Sequence, residues 1–288
     1  MGFLPILPTA LTRKFGTAVG LSDQEREAVE QLPAHSRHVK VGETLLFEGD
    51  RSQHCMIVLS GLACRFKMVG PEGHRQIMSF HIHGDIPDLQ SLHLGMMDHD
   101  VGMLQAGTVS FIPHTAIRAM NERHPRIAAA LWRDTLVDAA IYRAWMIGIG
   151  RKSAYGRLAH LFCERIVLAQ AVGLLGHTIE QRPTQEELGD ALGLSVVHVN
   201  RTMRALRENG LIVSAGKRLV VLDWEGLQEA GEFDPMYLHM ESAGSAGRLG
   251  VSSPRQPRAL CAMNQRRRRA TDRSCEGLRT SSLVRADL

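Results

Sequence analysis

The spacing of apolar and polar residues first suggests a sheet. Between residues 35 and 118, apolar and β-branched residues alternate in short runs, and glycine-containing turns separate these runs at intervals of roughly ten residues. This pattern predicts an antiparallel sandwich or roll. Residues 65–68 and 76–81 flank a turn at 70–73, which predicts a hairpin inside that roll.

Helical spacing takes over in the second part of the chain. Residues 124–149 carry apolar side chains at helical intervals, which predicts one long helix. A shorter helix is predicted before the roll at 21–32, and another follows the long helix at 153–170. We expect a hinge at 148–150, because two glycines there loosen the end of the long helix.

Residues 183–212 predict two short helices joined by a tight turn. Thr184 and Glu187 have the spacing of a capping box, so the first helix begins there. Gly193 supplies the turn, and Ser195 is the N-cap of the second helix. The residues of the second helix that we expect to face inward are Val199, Met203 and Leu206. Those that we expect to face outward lie mainly in the N-terminal half, which contacts base edges in a recognition helix. They are Val196, Val197, Asn200, Arg201 and Arg204.

A predicted hairpin follows these helices. Residues 213–215 and 218–222 predict two strands joined by a turn at Ala215–Gly216. Two capped amphipathic helices also occur in helical bundles, but the hairpin favours a winged helix-turn-helix. Lys217 and Arg218 at the tip of the hairpin are suited to phosphate contact.

The charge of the chain is unevenly distributed. From residue 241 onward there are ten Arg and four acidic residues, which leaves 24 basic and 26 acidic residues before that point. The net charge of +4 therefore comes from the tail and is not evidence that the folded part binds DNA. We expect the tail at 241–288 to be disordered, either binding nucleic acid non-specifically or serving as a solvated appendage.

Several classes of protein are disfavoured by what the sequence lacks. No apolar stretch is long enough to span a membrane, and prolines interrupt the apolar residues 2–11 ahead of Arg13 and Lys14, which is the wrong order for a secretory signal. We therefore expect a cytoplasmic protein. Five scattered cysteines without a CxxC pair predict free thiols rather than a cysteine-bound cofactor. No catalytic motif stands out, so we do not expect an enzyme.

The order of roll, long helix and winged helix-turn-helix resembles the Crp–Fnr family of bacterial transcription regulators over residues 21–239. The segments that carry the resemblance are 42–44, 48–50, Gly61 after 57–60, 84–86 and, most specifically, 184–212 with its hairpin. The resemblance implies an α+β fold with a cyclic-nucleotide-binding-like β-roll at 20–120, a dimerisation helix at 121–150, a winged helix-turn-helix at 151–240 and the tail at 241–288.

The resemblance also implies partners and contacts. A homodimer would bind a palindromic operator in double-stranded DNA, with RNA polymerase and an unknown effector as further partners. Positions matching Val196, Val197 and Arg201 face bases in the family, and those matching Ser195 and His198 meet the backbone. Arg201 is the natural reader of guanine, whereas the two valines offer only apolar contact, for example with a thymine methyl.

The long helix supports the expectation of a dimer. Its apolar residues cover more than one face, and the second face is expected to pack on the same helix of another copy. The alternative is a core helix within one monomer.

Cyclic-nucleotide binders of the family hold the phosphate with an Arg. Here no Arg or Lys occurs between Arg75 and Arg118, and acidic residues in that interval would repel a phosphate. We therefore predict that the protein does not bind cyclic AMP in the family's manner. No cysteine precedes Cys55, which argues against the oxygen-sensing cluster of the fumarate-nitrate type.

Histidine is the remaining candidate for chemistry in the roll. His81 and His83 are expected on one face of a strand, with His93 and His99 further along. They could bind a divalent metal or a haem, and a cupin-like enzyme or a metal- or haem-sensing regulator is the alternative function. A His-rich surface is the simpler interpretation, so we expect neither a metal site nor a cofactor. A regulatory subunit carrying only a nucleotide domain is a third class, disfavoured by the missing phosphate cation.

Overall fold

The first half of the chain is built on a five-stranded antiparallel sheet. The computed structural model describes residues 11–12, 20–174, 176–180, 182–216 and 218–240, and the predicted tail at 241–288 lies outside them. The strands are β1 (His35–Val39), β2 (Thr44–Leu46), β3 (His54–Val69), β4 (His74–His81) and β5 (Asp100–Pro113). They lie in the order β1-β5-β3-β4, with β2 also paired to β5. The predicted antiparallel architecture is confirmed.

Strands β3 and β4 form the predicted hairpin. The last residue of β3, Val69, pairs with His74, the first residue of β4. Gly70 and Gly73 have φ of 74° and 67°, a left-handed backbone that residues with a Cβ rarely adopt. These two glycines allow the chain to reverse within four residues.

The prediction that His81 and His83 lie on the same face of a strand is wrong. Strand β4 ends at His81, so His83 lies in the turn that follows. Gly84 in that turn has φ of 91°. The strict alternation of side chains ends with the strand, because the spacing of two residues defines a common face only in extended backbone.

Helix α1 (Asp23–Glu30) precedes the strands of the large sheet along the chain, and α2 (His114–Arg123), α3 (Pro125–Arg151) and α4 (Ala154–Ala171) follow them. Three of these four helices match the helices predicted from the sequence. Helix α2 was not predicted, because it continues directly from β5 and its short apolar pattern resembles the end of a strand. Its buried residues Ile117 and Met120 pack with Ile127 of α3 in one apolar cluster.

The predicted hinge at Gly148–Gly150 is also wrong. Helix α3 continues through both glycines and ends at Arg151. A glycine within a helix costs about 1 kcal/mol relative to alanine, which 27 residues of helix can absorb. The break comes at Lys152–Ser153, where the Ser153 side chain accepts a hydrogen bond from Gly156 N at 3.1 Å and begins α4.

The second half of the described chain combines helices with a small sheet. Its elements are β6 (Thr178–Ile179), α5 (Gln185–Leu192), α6 (Val196–Glu208), β7 (Ile212–Ala215), β8 (Arg218–Val221), α7 (Trp224–Gly231) and a 3-10 turn (Pro235–Leu238). The small sheet has the order β6-β8-β7. The predicted helix-turn-helix and hairpin are present within one or two residues of their expected ends.

One apolar core is shared by both halves. Leu62 and Ile77 from the large sheet belong to the same buried cluster as Phe162 of α4 and Leu188 of α5. All four side chains are fully buried. Burying a side chain of this size contributes about 2 kcal/mol, so this cluster holds the helix-turn-helix against the sheet.

Candidate DNA-binding surface and effector cavity

Local sequence determines the turn between α5 and α6. The capping box predicted at Thr184 and Glu187 is present, with Thr184 N donating to Glu187 Oε2 at 2.7 Å and Glu187 N donating to Thr184 Oγ1 at 3.2 Å. Gly193 ends α5 with φ of 63°. A Cβ on Gly189 would lie 2.5 Å from the backbone oxygen of Leu194, so the two helices approach as closely as they do only with glycine there.

Helix α6 exposes the stripe of residues predicted to read bases. Ser195 caps the helix by accepting from His198 N at 3.3 Å. Val199, Met203 and Leu206 are fully buried, as expected for the inward face. The exposed residues are Ser195, Val196, Val197, Asn200, Arg201, Arg204, Arg207 and Glu208, while His198 is half-buried. Residues 197, 201 and 204 recur at intervals of three and four, which places them on one face of the helix.

The wing arginine already has a partner in the chain. Arg218 donates through Nε and a terminal nitrogen to the two carboxylate oxygens of Glu180, both at 2.5 Å. The hydrogen bonds lower the pKa of Glu180 and raise that of Arg218. Sequence spacing does not reveal this pair, because Glu180 precedes Arg218 by 38 residues. Lys217, the other predicted phosphate contact, lies outside the described residues.

A cavity of about 760 Å³ lies between the large sheet, α3, α4 and the C-terminal turn. Its apolar lining includes Phe80, Ile82, Val137, Ile141, Trp145, Leu168 and Leu238. The volume is within the range of small-molecule sites, which are mostly apolar with a few placed polar groups.

Two buried arginines line this cavity, although no Arg or Lys occurs between Arg75 and Arg118. Arg65 comes from β3 and Arg165 from α4. Arg65 donates to Pro87 O at 2.5 Å, to Tyr142 Oη at 2.9 Å and to the carboxylate of Asp138. Burial opposes the charge of Arg65, but Asp138 and Tyr142 raise its pKa above the ordinary value. The chain's own carboxylate therefore already neutralises this cation.

Arg165 lies between the sheet and the helix-turn-helix. Its guanidinium lies over the ring of Phe80, 5.1 Å from the centroid. Burial lowers the pKa of Arg165 to about 10, against the opposing effect of Glu164, Asp85 and Glu187. The cationic form stays dominant at neutral pH.

The candidate histidines are not brought together around a common point. His81 Nε2 pairs with Ser79 Oγ at 2.7 Å, His83 Nδ1 donates to Leu59 O at 2.8 Å, and His99 Nδ1 pairs with Asp98 at 2.7 Å. His93 is exposed. In the part of the chain that the structure describes, no group of three or more His, Cys, Asp or Glu side chains is placed to hold a metal ion.

The cysteines of the described ranges are free thiols in the interior. Cys55, Cys64 and Cys163 are all buried. Burial raises the pKa of each thiol far above neutral pH, so they remain protonated. Cys261 and Cys275 lie outside the described residues.

Comparison with known families identifies both halves. Residues 36–124 match the cyclic nucleotide-binding domain, and residues 156–230 match the Crp-like helix-turn-helix domain. None of the helices in the described ranges is long and apolar enough to cross a membrane.

Two similar proteins are transcriptional activators. The transcriptional activator FnrA of Stutzerimonas stutzeri is 26% identical over 209 residues, which cover 73% of this chain and 85% of that protein. FnrL of Cereibacter sphaeroides is also 26% identical, with 73% of this chain and 86% of that protein covered. Both of these relatives are transcriptional activators rather than enzymes.

Solved structures share the fold. FixK2 from Bradyrhizobium japonicum superimposes with a TM-score of 0.61 at 21% identity, covering 69% of this chain and 98% of that one. A CRP-family regulator from Thermus thermophilus gives a TM-score of 0.54 at 19% identity, with 68% and 97% covered. With a cyclic nucleotide-binding domain followed by a Crp-like helix-turn-helix on this shared fold, the chain belongs to the Crp–Fnr family of transcription regulators.

Proposed function

We propose that the protein acts as a homodimer that binds a palindromic operator through α6. The observation that carries this proposal is the exposed stripe of α6, in which Arg201 and Arg204 project from a helix whose opposite face is fully buried. Such a helix fits the major groove, where its N-terminal residues contact base edges.

Each residue of the stripe has a chemical role in this proposal. Arg201 donates two hydrogen bonds to O6 and N7 of guanine, and the valines at 196 and 197 pack on thymine methyl groups. Ser195 and His198 contact the backbone, while Asn200 and Arg204 extend the surface that faces the groove. Lys217 contacts a phosphate at the wing. Arg218 does so only after it leaves Glu180.

The second subunit covers the exposed side of α3. Trp132, Leu136 and Ile147 are each at least half exposed although they are large and apolar. They are separated by four and eleven residues, which is the spacing of one helical stripe. The same stripe on a second copy provides the complementary surface for an isologous dimer.

An effector occupies the cavity beside Arg65, and this effector is not cyclic AMP held in the family's manner. The pairing of Arg65 with Asp138 supports this exclusion, because a phosphate would have to displace a carboxylate from a buried cation. RNA polymerase is the further partner expected of an operator-bound regulator.

A gel-shift titration on the protein's own upstream region tests the proposal. Arg201→Ala is expected to weaken operator binding by about 10- to 100-fold, since a bidentate contact to guanine contributes about 1–3 kcal/mol. Arg207→Ala is the matched control, because it removes the same charge from an exposed position at the far end of α6. Equal losses in both variants, on operator and on unrelated DNA alike, would show that Arg201 is not the reader.

A further inference from the structure

A chain of hydrogen bonds joins the end of the long helix to the C-terminal turn. Lys152 Nζ lies 3.0 Å from His160 Nδ1, and His160 Nε2 lies 3.1 Å from Tyr237 Oη. Tyr237 Oη donates to Glu164 Oε2 at 2.6 Å, and Trp145 Nε1 donates to Glu164 Oε1 at 2.9 Å. We call these five residues the relay.

The donors of the relay all point toward one carboxylate. An ammonium group can only donate, so Nδ1 of His160 is the acceptor from Lys152. The proton of a neutral His160 is therefore on Nε2, which donates to the oxygen of Tyr237. Tyr237 in turn donates to Glu164, so the relay runs from the Lys152 ammonium to the Glu164 carboxyl group and each bond polarises the next.

The electrostatics of the interior keep the middle of the relay neutral. Burial lowers the pKa of His160 to about 4, and the neighbouring Lys152 charge acts in the same direction. Burial raises the pKa of Tyr237, and the Glu164 carboxylate adds to the effect. Both side chains thus keep the protonation state that the hydrogen-bond order requires at neutral pH.

The relay connects three separate elements at the break between α3 and α4. Trp145 belongs to α3 and Lys152 immediately follows that helix. Lys152 Nζ also donates to the backbone oxygens of Gly231 and Glu232, at 2.6 and 3.1 Å, at the end of α7. A Cβ on Gly231 would lie 2.7 Å from His160 N, so only glycine lets α7 come close enough for this contact.

We propose that the relay is the joint that fixes the angle between the long helix and the DNA-binding half, with Lys152, Glu164 and Tyr237 as positioning residues. This inference rests on the proposed homodimer, because the angle in each subunit then sets the distance between the two recognition helices. A stiff joint makes the dimer selective for one spacing between operator half-sites. Because Trp145 and Glu164 also line the cavity, the joint is in contact with the space that an effector would fill.

Operators with altered half-site spacing test the joint. Affinities are measured for the full chain on the best operator and on versions with one or two base pairs inserted or removed at the centre. Tyr237→Phe removes only the hydroxyl that bridges His160 and Glu164. We expect about tenfold weaker binding at the best spacing and a clearly flatter preference across spacings.

Tyr155→Phe is the matched control. Tyr155 lies on the helix that also carries His160 and Glu164, and its hydroxyl accepts a hydrogen bond from Asn209 Nδ2 at 2.8 Å, but it belongs neither to the relay nor to the cavity lining. We expect the spacing preference of the parent to survive this change. A Tyr237→Phe variant that keeps the parent's preference overturns the inference, even if its thermal stability is lower.

Two further outcomes are informative. If Tyr237→Phe does not fold, Lys152→Met replaces it, since Lys152 lies at the partly exposed end of the relay, and the same flattening is expected. If the parent itself binds single half-sites as well as palindromes, the proposed homodimer function fails and the joint fails with it. If the parent discriminates between spacings and Tyr237→Phe, or Lys152→Met in its place, does so equally well, only the joint is rejected.

Discussion

At the scale of single residues, the DNA-binding surface depends on pairs that sequence spacing does not reveal. The place of Arg218 at the tip of the wing predicts a phosphate contact. The structure gives it two hydrogen bonds to Glu180 instead. Both side chains are exposed, so solvent weakens the pair and a phosphate can compete for the arginine.

Replacing Glu180 by Gln should release Arg218 for DNA. We expect operator affinity at low salt to rise severalfold and the slope of log affinity against log salt to steepen by about one, as each added phosphate contact requires. A salt series of binding titrations measures both. Arg218→Ala in the Glu180→Gln background should restore the parent slope, and an unchanged slope in Glu180→Gln would contradict the pairing argument.

A second residue-scale prediction concerns Gly189. Alanine there places a Cβ 2.5 Å from the Leu194 backbone oxygen, which cannot move aside like a flexible side chain. We expect Gly189→Ala to lower the free energy of unfolding by about 1–3 kcal/mol, as overpacked sites do. Gly95→Ala is the control, because nothing lies within 4 Å of its added Cβ. Thermal unfolding of the two variants would refute the prediction if their midpoints agreed.

At the scale of elements, amphipathic pattern and capping predicted most helices, the hairpins and the exposed stripe of α6. Their ends were predicted because capping depends on neighbours three residues apart, as at Thr184 and Glu187. The prediction of a hinge at Gly148–Gly150 was wrong, because the flexibility of single glycines does not determine whether the surrounding helix continues. The helix breaks instead where Ser153 caps α4. The two arginines of the cavity were not predicted, because Arg65 and Arg165 are far apart in sequence and line the same cavity only after folding.

The relay gives an element-scale prediction about pH. Burial raises the pKa of Glu164 to about 7, while hydrogen bonds from Tyr237 and Trp145 and the charge of Arg165 oppose this and Asp138 adds to it. The folded protein then binds this proton more tightly than the unfolded chain does. The contribution of Glu164 to stability is therefore full below the ordinary value of 4.5 and declines as pH rises to about 7.

Glu164→Gln removes that titration. We expect the stability of the parent relative to this variant to decrease by up to about 3 kcal/mol between pH 5 and pH 8, because one unit of pKa corresponds to about 1.4 kcal/mol. Denaturant unfolding at several pH values gives the difference directly. A difference that stays constant across that range would mean that Glu164 titrates as in the unfolded chain.

At the scale of the whole molecule, the exposed apolar side of α3 supports the proposed second subunit. Trp132 is 64% exposed, although burying so large a ring would be favourable. The surface lies on the longest helix of the described chain, which is well suited to a two-stranded interface. The sequence predicts the dimer because the apolar residues of this helix exceed what one core can cover.

Trp132→Glu should convert the dimer to a monomer. The charge would lie unpaired inside the proposed interface, which costs several kcal/mol and shifts dissociation by orders of magnitude. Sedimentation velocity gives the mass, and operator binding should fall in parallel. Val41→Glu introduces the same charge at a residue 66% exposed on the sheet side and should leave the dimer intact. Identical masses for the two variants would remove α3 as the interface.

The shared core has a consequence for building hybrids of this regulator. Ile77 of the sheet and Leu188 of the helix-turn-helix belong to one buried cluster. Arg75 on the sheet also pairs with Asp190 on α5 at 2.8 Å. A helix-turn-helix domain transplanted from a relative would therefore pack poorly against this sheet, because a close-packed interface tolerates little change in shape. Successful chimaeras of this protein will need the interface residues of the sheet exchanged together with the helix-turn-helix domain.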